Sequence, residues 1–126
     1  MLHTLVLALT SPTGQVSANL QFTASAIGEF DEVVPPTTTD MPFSVAIDIS
    51  QVKCIYILSD QDVLLETNSS SSPTNTINLK ANQPYLWYVN AYDTCKITAD
   101  VTSAFFTNAG ATQANVKMRW LYDITP

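Results

Sequence analysis

The sequence has little charge. Asp, Glu, Lys and Arg together make up 13% of the 126 residues, about half of the fraction of about 25% that is usual in globular domains. A surface of Ser, Thr, Asn and Gln is easier to desolvate than one of carboxylates and ammonium groups. Low charge therefore suits a protein that packs against neighbours.

Positively charged residues are fewer than negatively charged ones. The formal net charge is −6, and the five cations are scattered along the chain: Lys53, Lys80, Lys96, Lys117 and Arg119. Nucleic acids and anionic membranes are bound by clustered cations, which displace counterions together. We therefore expect no direct contact with nucleic acid and none with a membrane.

Residues that carry chemistry are also few. Cys54 and Cys95 permit one disulfide, but two cysteines are a weak framework, and we expect two free thiols in a reducing compartment. Cys54 shares its parity with Val52 and Tyr56, which predicts a small core residue. His3 is the single histidine and has no positioned partner in a recognisable nucleophile motif. We expect no catalytic residue, no cofactor and no enzymatic activity.

Two acidic groups are the candidates for a metal. Glu29, Asp31 and Glu32 form one group, and Asp60 with Asp62 forms the other. Neither has the dense oxygen spacing of a dedicated calcium loop. We expect solvated acids and no metal site.

No long apolar run is present. Residues 2–9 are apolar but short, and no Lys or Arg precedes them, so they predict a first strand and not a signal peptide. Thr, Ser, Gln and Asn interrupt the uncharged stretch before Glu29 too often for a membrane span. We expect a soluble chain.

What the chain does have is a period of two. From residue 15 to residue 25 every even position is apolar and every odd position is polar, which predicts a strand with one dry face. Turn clusters follow at intervals near ten residues. Further strands are predicted at residues 43–49, 52–58, 63–65, 77–79, 85–89, 101–107 and 116–122.

Two segments are predicted to lie outside these strands. Residues 26–41 contain three acids before Val33, a fourth at Asp40 and the paired prolines Pro35 and Pro36. Proline cannot donate to a sheet ladder, so we expect an extended surface excursion. Residues 68–75 hold four successive serines and predict a projecting loop, either disordered or ordered by a partner.

The pattern predicts one all-β domain over residues 1–126. About eight strands and no helical spacing are typical of a two-sheet sandwich. The long excursion favours jelly-roll or Greek-key connections, and a barrel is the alternative.

The aromatic residues divide by parity. Tyr85 and Trp87 share a face with Val89, while Trp120 and Tyr122 share one with Met118, so core packing is predicted for these four. Tyr88 is out of phase and is predicted to be an exposed ring. A carbohydrate-binding module, with Tyr88 and a second aromatic stacked on a pyranose, is therefore an alternative function.

The second half resembles small virion proteins of tailed phages. The resemblance runs over residues 51–126 and is carried by Ile57 to Val63, Glu66 to Ser71, Ile77 to Ala81, Tyr85 to Trp87, Asp100 to Ser103, Phe106 to Ala109 and Arg119 to Asp123. It is a string of strand and turn signatures and contains no catalytic motif.

The resemblance implies a structural role. It suggests a jelly-roll decoration or cement protein that trimerises on the outer capsid surface and bridges subunits of the major capsid protein. Assembly inside the host bacterial cytoplasm would agree with the free thiols. A tail or head-to-tail adaptor protein is the alternative within the same class.

Contact regions are expected at uncharged, flexible places. They are the chain start, the proline excursion, the serine loop and the exposed tyrosine, namely Leu2, His3, Val33, Val34, Pro35, Pro36, Thr37, Thr38, Thr39, Ser69, Ser70, Ser71, Ser72 and Tyr88.

Overall fold

The structure is a computed structural model that describes residues 1–124, so Thr125 and Pro126, which close the predicted domain, lie outside the described residues. Ten β-strands account for its regular structure, and residues 1–124 contain no α-helix. The strands are β1 Leu2–Ser11, β2 Gly14–Thr23, β3 Ala26–Val34, β4 Thr38–Phe43, β5 Val52–Ser59, β6 Val63–Thr67, β7 Thr76–Leu79, β8 Tyr85–Tyr88, β9 Ala104–Asn108 and β10 Ala114–Tyr122.

Strands β3 to β10 form a jelly roll. One antiparallel sheet has the order β3-β10-β5-β8 and the other has the order β4-β9-β6-β7. The first strand of the roll thus pairs with its last, the second with the penultimate, and so inward to the hairpin β6-β7, which is the nested pairing of a jelly roll. The predicted all-β sandwich is confirmed, and β5 is an interior strand between β10 and β8.

The core lies between the two sheets. Alternate residues of β5, β9 and β10 point inward, as the period of two requires. The Phe106 ring stacks on the Phe30 ring, with 5.8 Å between their centroids, and packs edge to face against the Phe43 ring, with 5.1 Å between their centroids. The predicted core placement of the four aromatics is confirmed: Trp120 is buried, and Tyr85, Trp87 and Tyr122 pack against the buried cluster.

The predicted surface excursion over residues 26–41 is wrong. Ala26–Val34 is an edge strand paired with β10, and Thr38–Phe43 begins the second sheet. The prolines lie in the turn between them, where Thr37 takes a left-handed φ of 53°. Glu29 and Asp31 of β3 face outward, where Arg119 of β10 pairs with both, and Glu32 is exposed near the end of the strand, so the acids are compatible with a strand.

The predicted strand over residues 43–49 is wrong as well. β4 ends at Phe43, and Ile47 makes an isolated bridge with Val101. A short 3-10 turn, Ile49–Gln51, follows and is capped by Asp48, whose carboxylate accepts the N–H of Ser50. The alternation in this segment reflects side chains that pack on the core from an irregular, extended crossing.

The serine segment is a loop, as predicted, and hydrogen bonds order it. Ser69 Oγ accepts the N–H groups of Ser71 and Ser72. At its start, Asn68 accepts the N–H of Thr102 at 2.8 Å and donates to the carbonyl of Asp100 at 2.9 Å. These bonds fasten the loop to the connection between β8 and β9.

Candidate interaction surface

The N-terminal hairpin β1-β2, residues 2–23, belongs to neither sheet of the roll, and we call it the arm. Its strands pair from Leu2↔Thr23 to Ser11↔Gly14 without a bulge. Gly14 closes the turn with a φ of 143°, a backbone conformation that residues with a side chain rarely adopt. Its carbonyl accepts a hydrogen bond from the hydroxyl of Ser11. The arm is therefore one regular two-stranded ribbon.

One face of the arm is apolar. It combines odd positions of β1 with even positions of β2: His3, Leu5, Leu7, Leu9, Val16, Ala18, Leu20 and Phe22. The half nearest the roll is partly buried, and the Phe22 ring lies 6.2 Å from that of Tyr88 on the outer face of the first sheet. The dry face predicted from the alternation thus exists, and its inner half is covered by the roll.

The arm changes the position expected for Cys54. This residue is 6% exposed, but it points to the outer face of β5, away from the inward-facing Ile55 and Ile57, and lies in a recess that His3 and Leu5 also line. The predicted burial of Cys54 is confirmed, but the residue is buried on the outer face beside the arm and not among the side chains between the two sheets. Burial raises the pKa of the Cys54 thiol to about 11. Both cysteines are free.

The outer half of the apolar face has no cover. Leu9 is 73% exposed and Val16 is 77% exposed, and they face each other across the ladder next to the turn. We call Leu9, Val16 and the turn between them the arm tip. On the opposite face, Leu2 and Val6 are also exposed. Such a patch on a projecting ribbon is typical of an interaction site.

The arm also lacks the charges that normally protect a sheet edge. No Asp, Glu, Lys or Arg precedes Glu29, and in the part of the chain that the structure describes, β1 and β2 pair only with each other. Natural edge strands usually carry Lys, Pro or a bulge that prevents pairing with another chain. Both edges of the arm are therefore open to a partner strand.

The roll beside the arm is charged, in contrast. Arg119 makes a two-pronged ion pair with Asp31, at 2.7 and 3.0 Å, on the outer face of the first sheet. The Arg119 guanidinium lowers the pKa of the Asp31 carboxyl. Lys53 and Asp123 form a second pair at 3.6 Å. The absence of charge is thus a property of the arm and not of the whole surface.

A groove of about 700 Å³ follows the free edge of β8. Leu7 of the arm forms one wall, and the other residues come from β8 and from the chain on either side of it: Pro84, Tyr85, Leu86, Trp87, Tyr88, Ala91, Tyr92, Asp93, Thr94 and Lys96. Tyr92 is fully exposed. The Tyr85 hydroxyl accepts the N–H of Lys96 at 2.9 Å, and burial raises the pKa of Tyr85 to about 12. The groove is mainly apolar and aromatic, with Asp93 and Lys96 among its lining residues.

The predicted contact residues lie at two ends of the roll. Leu2, His3, Tyr88 and the serine loop, residues 69–72, lie at the end where the arm enters. The turn at residues 35–37 lies at the opposite end, since β3 leads away from the arm.

Exposure separates these candidates further. The exposed ones are Leu2, Val33, Pro35, Pro36, Thr37, Thr39, Ser71 and Ser72, whereas His3, Thr38, Ser69 and Ser70 are half-buried. Val34 is fully buried, so its prediction as a contact residue is wrong. Tyr88 is half-buried against Phe22, so the predicted exposed ring is wrong too.

Sequence reasoning missed the arm tip and Tyr92. Two strands of ten residues joined by a two-residue turn, with no charged residue in either, were a signal for the arm. Tyr92 had no such signal, because its exposure depends on the path of the connection after β8.

The acidic groups serve local structure. The Asp60 carboxylate accepts the backbone and side-chain N–H groups of Asn115 at 2.8 and 2.9 Å, and these bonds lower its pKa. Asp62 accepts the N–H of Ala81. Among residues 1–124 there is no group of three His, Cys, Asp or Glu side chains placed to hold a metal ion.

Residues 1–124 also include no helix that is long and apolar enough to cross a membrane. Comparison with family models, with curated proteins and with solved structures finds no match to this chain.

Proposed function

We propose that the chain is a structural accessory protein of a phage particle, a decoration or cement protein that binds the outer capsid and bridges coat subunits. The observation that carries this proposal is the arm, an uncharged ribbon with an uncovered apolar tip and two open edges, attached to a jelly roll. An isolated two-stranded hairpin is marginally stable in water. The outer half of this one contributes little to the roll, so its role lies in contact with other chains.

Weak contacts suffice for this role when they act together. Each copy presents an arm tip and two loop-bearing ends, and several copies on a shell make many modest contacts with one assembled lattice. The low charge of the arm also supports the proposal, because uncharged surface is desolvated at small cost when it is covered in an assembly. The virion resemblance of residues 51–126 supports the same class.

The experiment uses particles purified from the source that encodes the chain. Mass spectrometry should find the chain in them, mild denaturant should remove it, and the stripped particles should burst at a lower temperature. Wild-type protein added back should restore the burst temperature. The variant Leu9→Lys/Val16→Lys should not, whereas Asn78→Lys, an exposed change on β7, should. Particles that lack the chain, or that are equally strong after stripping, would contradict the proposal.

Cryo-electron microscopy of the restored particles locates the added copies. Density on the capsid surface is expected for a decoration protein. Density at the tail or at the head-to-tail junction would favour an adaptor, which the same fold could serve.

A further inference from the structure

The strongest unassigned feature is the fit between two surfaces of the same chain. We infer that the arm tip of one copy docks in the β8 groove of a neighbouring copy, head to tail. The inference rests on the assembly role proposed above and names the partner of the arm. Three observations support it: the solvent-accessible surface area of the chain, the distance to which the arm extends past its own groove, and the chemistry of the residues that line the groove.

The chain exposes more surface than its mass predicts. Its accessible surface is 7501 Å². A compact monomer of 13.8 kDa exposes about 6,600 Å². The excess of roughly 900 Å² is close to the ~800 Å² that each partner buries in a standard protein interface. An extended arm that becomes covered in an oligomer accounts for an excess of this size.

The reach of the arm points to another copy. Leu7 already forms a wall of the groove of its own chain. At a rise of about 3.3 Å per residue, the ladder carries the turn at residues 12 and 13 roughly 16 Å past Leu7. Leu9 and Val16 therefore lie beyond their own groove, and the regular pairing up to Ser11↔Gly14 prevents them from folding back.

The groove has the chemistry that this tip requires. Leu86, Tyr88 and Tyr92 offer apolar and aromatic contact, and the free edge of β8 offers backbone groups to an open strand of the arm. Tyrosine is enriched among the residues that anchor interfaces, and Tyr92 is fully exposed. Asp93 and Lys96 carry opposite charges, so the groove does not select a strongly charged partner. An uncharged tip fits it better than an acidic or basic peptide.

The contact joins different surfaces on the two copies. Such a heterologous junction closes into a ring when the rotation between copies permits. It also makes a specific prediction about complementation. A copy with a damaged tip and a copy with a damaged groove still form one intact junction between them.

The test uses purified full-length chain in sedimentation velocity, without any particle. Wild type and the control Asn78→Lys should sediment as oligomers. The tip variant Leu9→Lys/Val16→Lys and the groove variant Tyr92→Lys should each dissociate, with affinity reduced about tenfold or more. All these positions are exposed, so thermal melting should show folded protein in each case.

Mixing the two variants decides the geometry. A one-to-one mixture should form pairs, because the intact arm of Tyr92→Lys meets the intact groove of the tip variant. Arms that paired with arms would not be rescued in this way, and that result would overturn the inference. So would a groove variant that associates like wild type.

A monomeric wild type would also overturn the inference. In that case maltohexaose and chitohexaose are titrated while tryptophan fluorescence is followed. Binding that Tyr92→Lys abolishes would assign the groove to carbohydrate instead. A monomeric chain that still restores particle strength would refute the docking and leave the proposed function standing.

Discussion

Replacing Gly28 with alanine tests the packing that makes β3 a strand. Gly28 faces inward opposite Trp120 of β10, and a Cβ built on it would overlap the ring atoms Cε2 and Cζ2 of that residue. The Trp120 side chain is 8% exposed and is held in the core, so it cannot swing away freely. Overpacking of this kind costs about 3 kcal/mol of folding stability. Alanine has less conformational freedom than glycine in the unfolded chain, which offsets about 0.7 kcal/mol of that cost.

The net loss is therefore about 2 kcal/mol. The entropy of unfolding, about 2.1 cal/mol/K per residue, amounts to about 0.26 kcal/mol/K for this chain, so the Tm of Gly28→Ala should fall by about 8 °C. Differential scanning calorimetry measures it. A fall of less than 2 °C would show that the Trp120 ring yields and that Gly28 is not required by packing.

Gly110→Ala is the matched control. A Cβ at Gly110 would meet nothing nearer than the side-chain oxygen of Asn108 at 3.4 Å, so the Tm should stay the same or rise slightly. In a Trp120→Leu background, Gly28→Ala should lower the Tm much less, because the smaller leucine leaves room for the alanine methyl group.

Three further predictions concern groups whose environments the structure defines. Asn108 is fully buried and donates to the carbonyls of Val34, Pro35 and Thr112, so Asn108→Ala should cost about 3 kcal/mol in urea unfolding; a loss below 1 kcal/mol would contradict this. Burial and the neighbouring Asp40 carboxylate raise the pKa of Glu66. Its protonated form therefore favours folding, and stability should decline as pH rises from the ordinary glutamate range through the raised pKa. Glu66→Gln should flatten that decline and stabilise the protein at pH 7, because the amide carries no charge to bury; an unchanged pH profile of the Tm would refute it. Because the arm covers Cys54 and raises its pKa to about 11, iodoacetamide at pH 8 should modify it at least about tenfold more slowly than Cys95; equal rates by mass spectrometry would show that the arm does not stay docked.

The strands that could be predicted from the sequence carry the signal in their own residues. β10 alternates because its inward face meets the core along its length, β2 alternates although the outer half of its apolar face is uncovered, and β5 is a run that is apolar on both faces. β3 could not be recognised, since its acids are explained only by Arg119 on the adjacent strand and its glycine only by Trp120. These partners are about ninety residues distant in sequence, and no local pattern reports them.

The same limit applies to the candidate surface. Alternation in residues 15–25 predicts a dry face, but whether that face is covered depends on where the hairpin lies on the roll. Cys54 shows the converse case, because its burial was predicted and its cause was not. The sequence alone indicates which side chains are apolar and that they recur at regular spacing. The fold determines which of these apolar side chains remain exposed and available to a partner.

The arm tip also separates association from folding. Leu9 and Val16 are largely exposed in the single chain, so charging them removes little of the burial that stabilises the roll, and the Tm of a dilute monomer should hardly change. The same change in an oligomer removes apolar contacts that dissociation would expose, and its effect on the Tm therefore grows with protein concentration. A concentration-dependent Tm in wild type that Leu9→Lys/Val16→Lys abolishes would connect the uncovered ribbon to assembly, whereas an equal loss at all concentrations would mean that the tip serves the fold of its own chain.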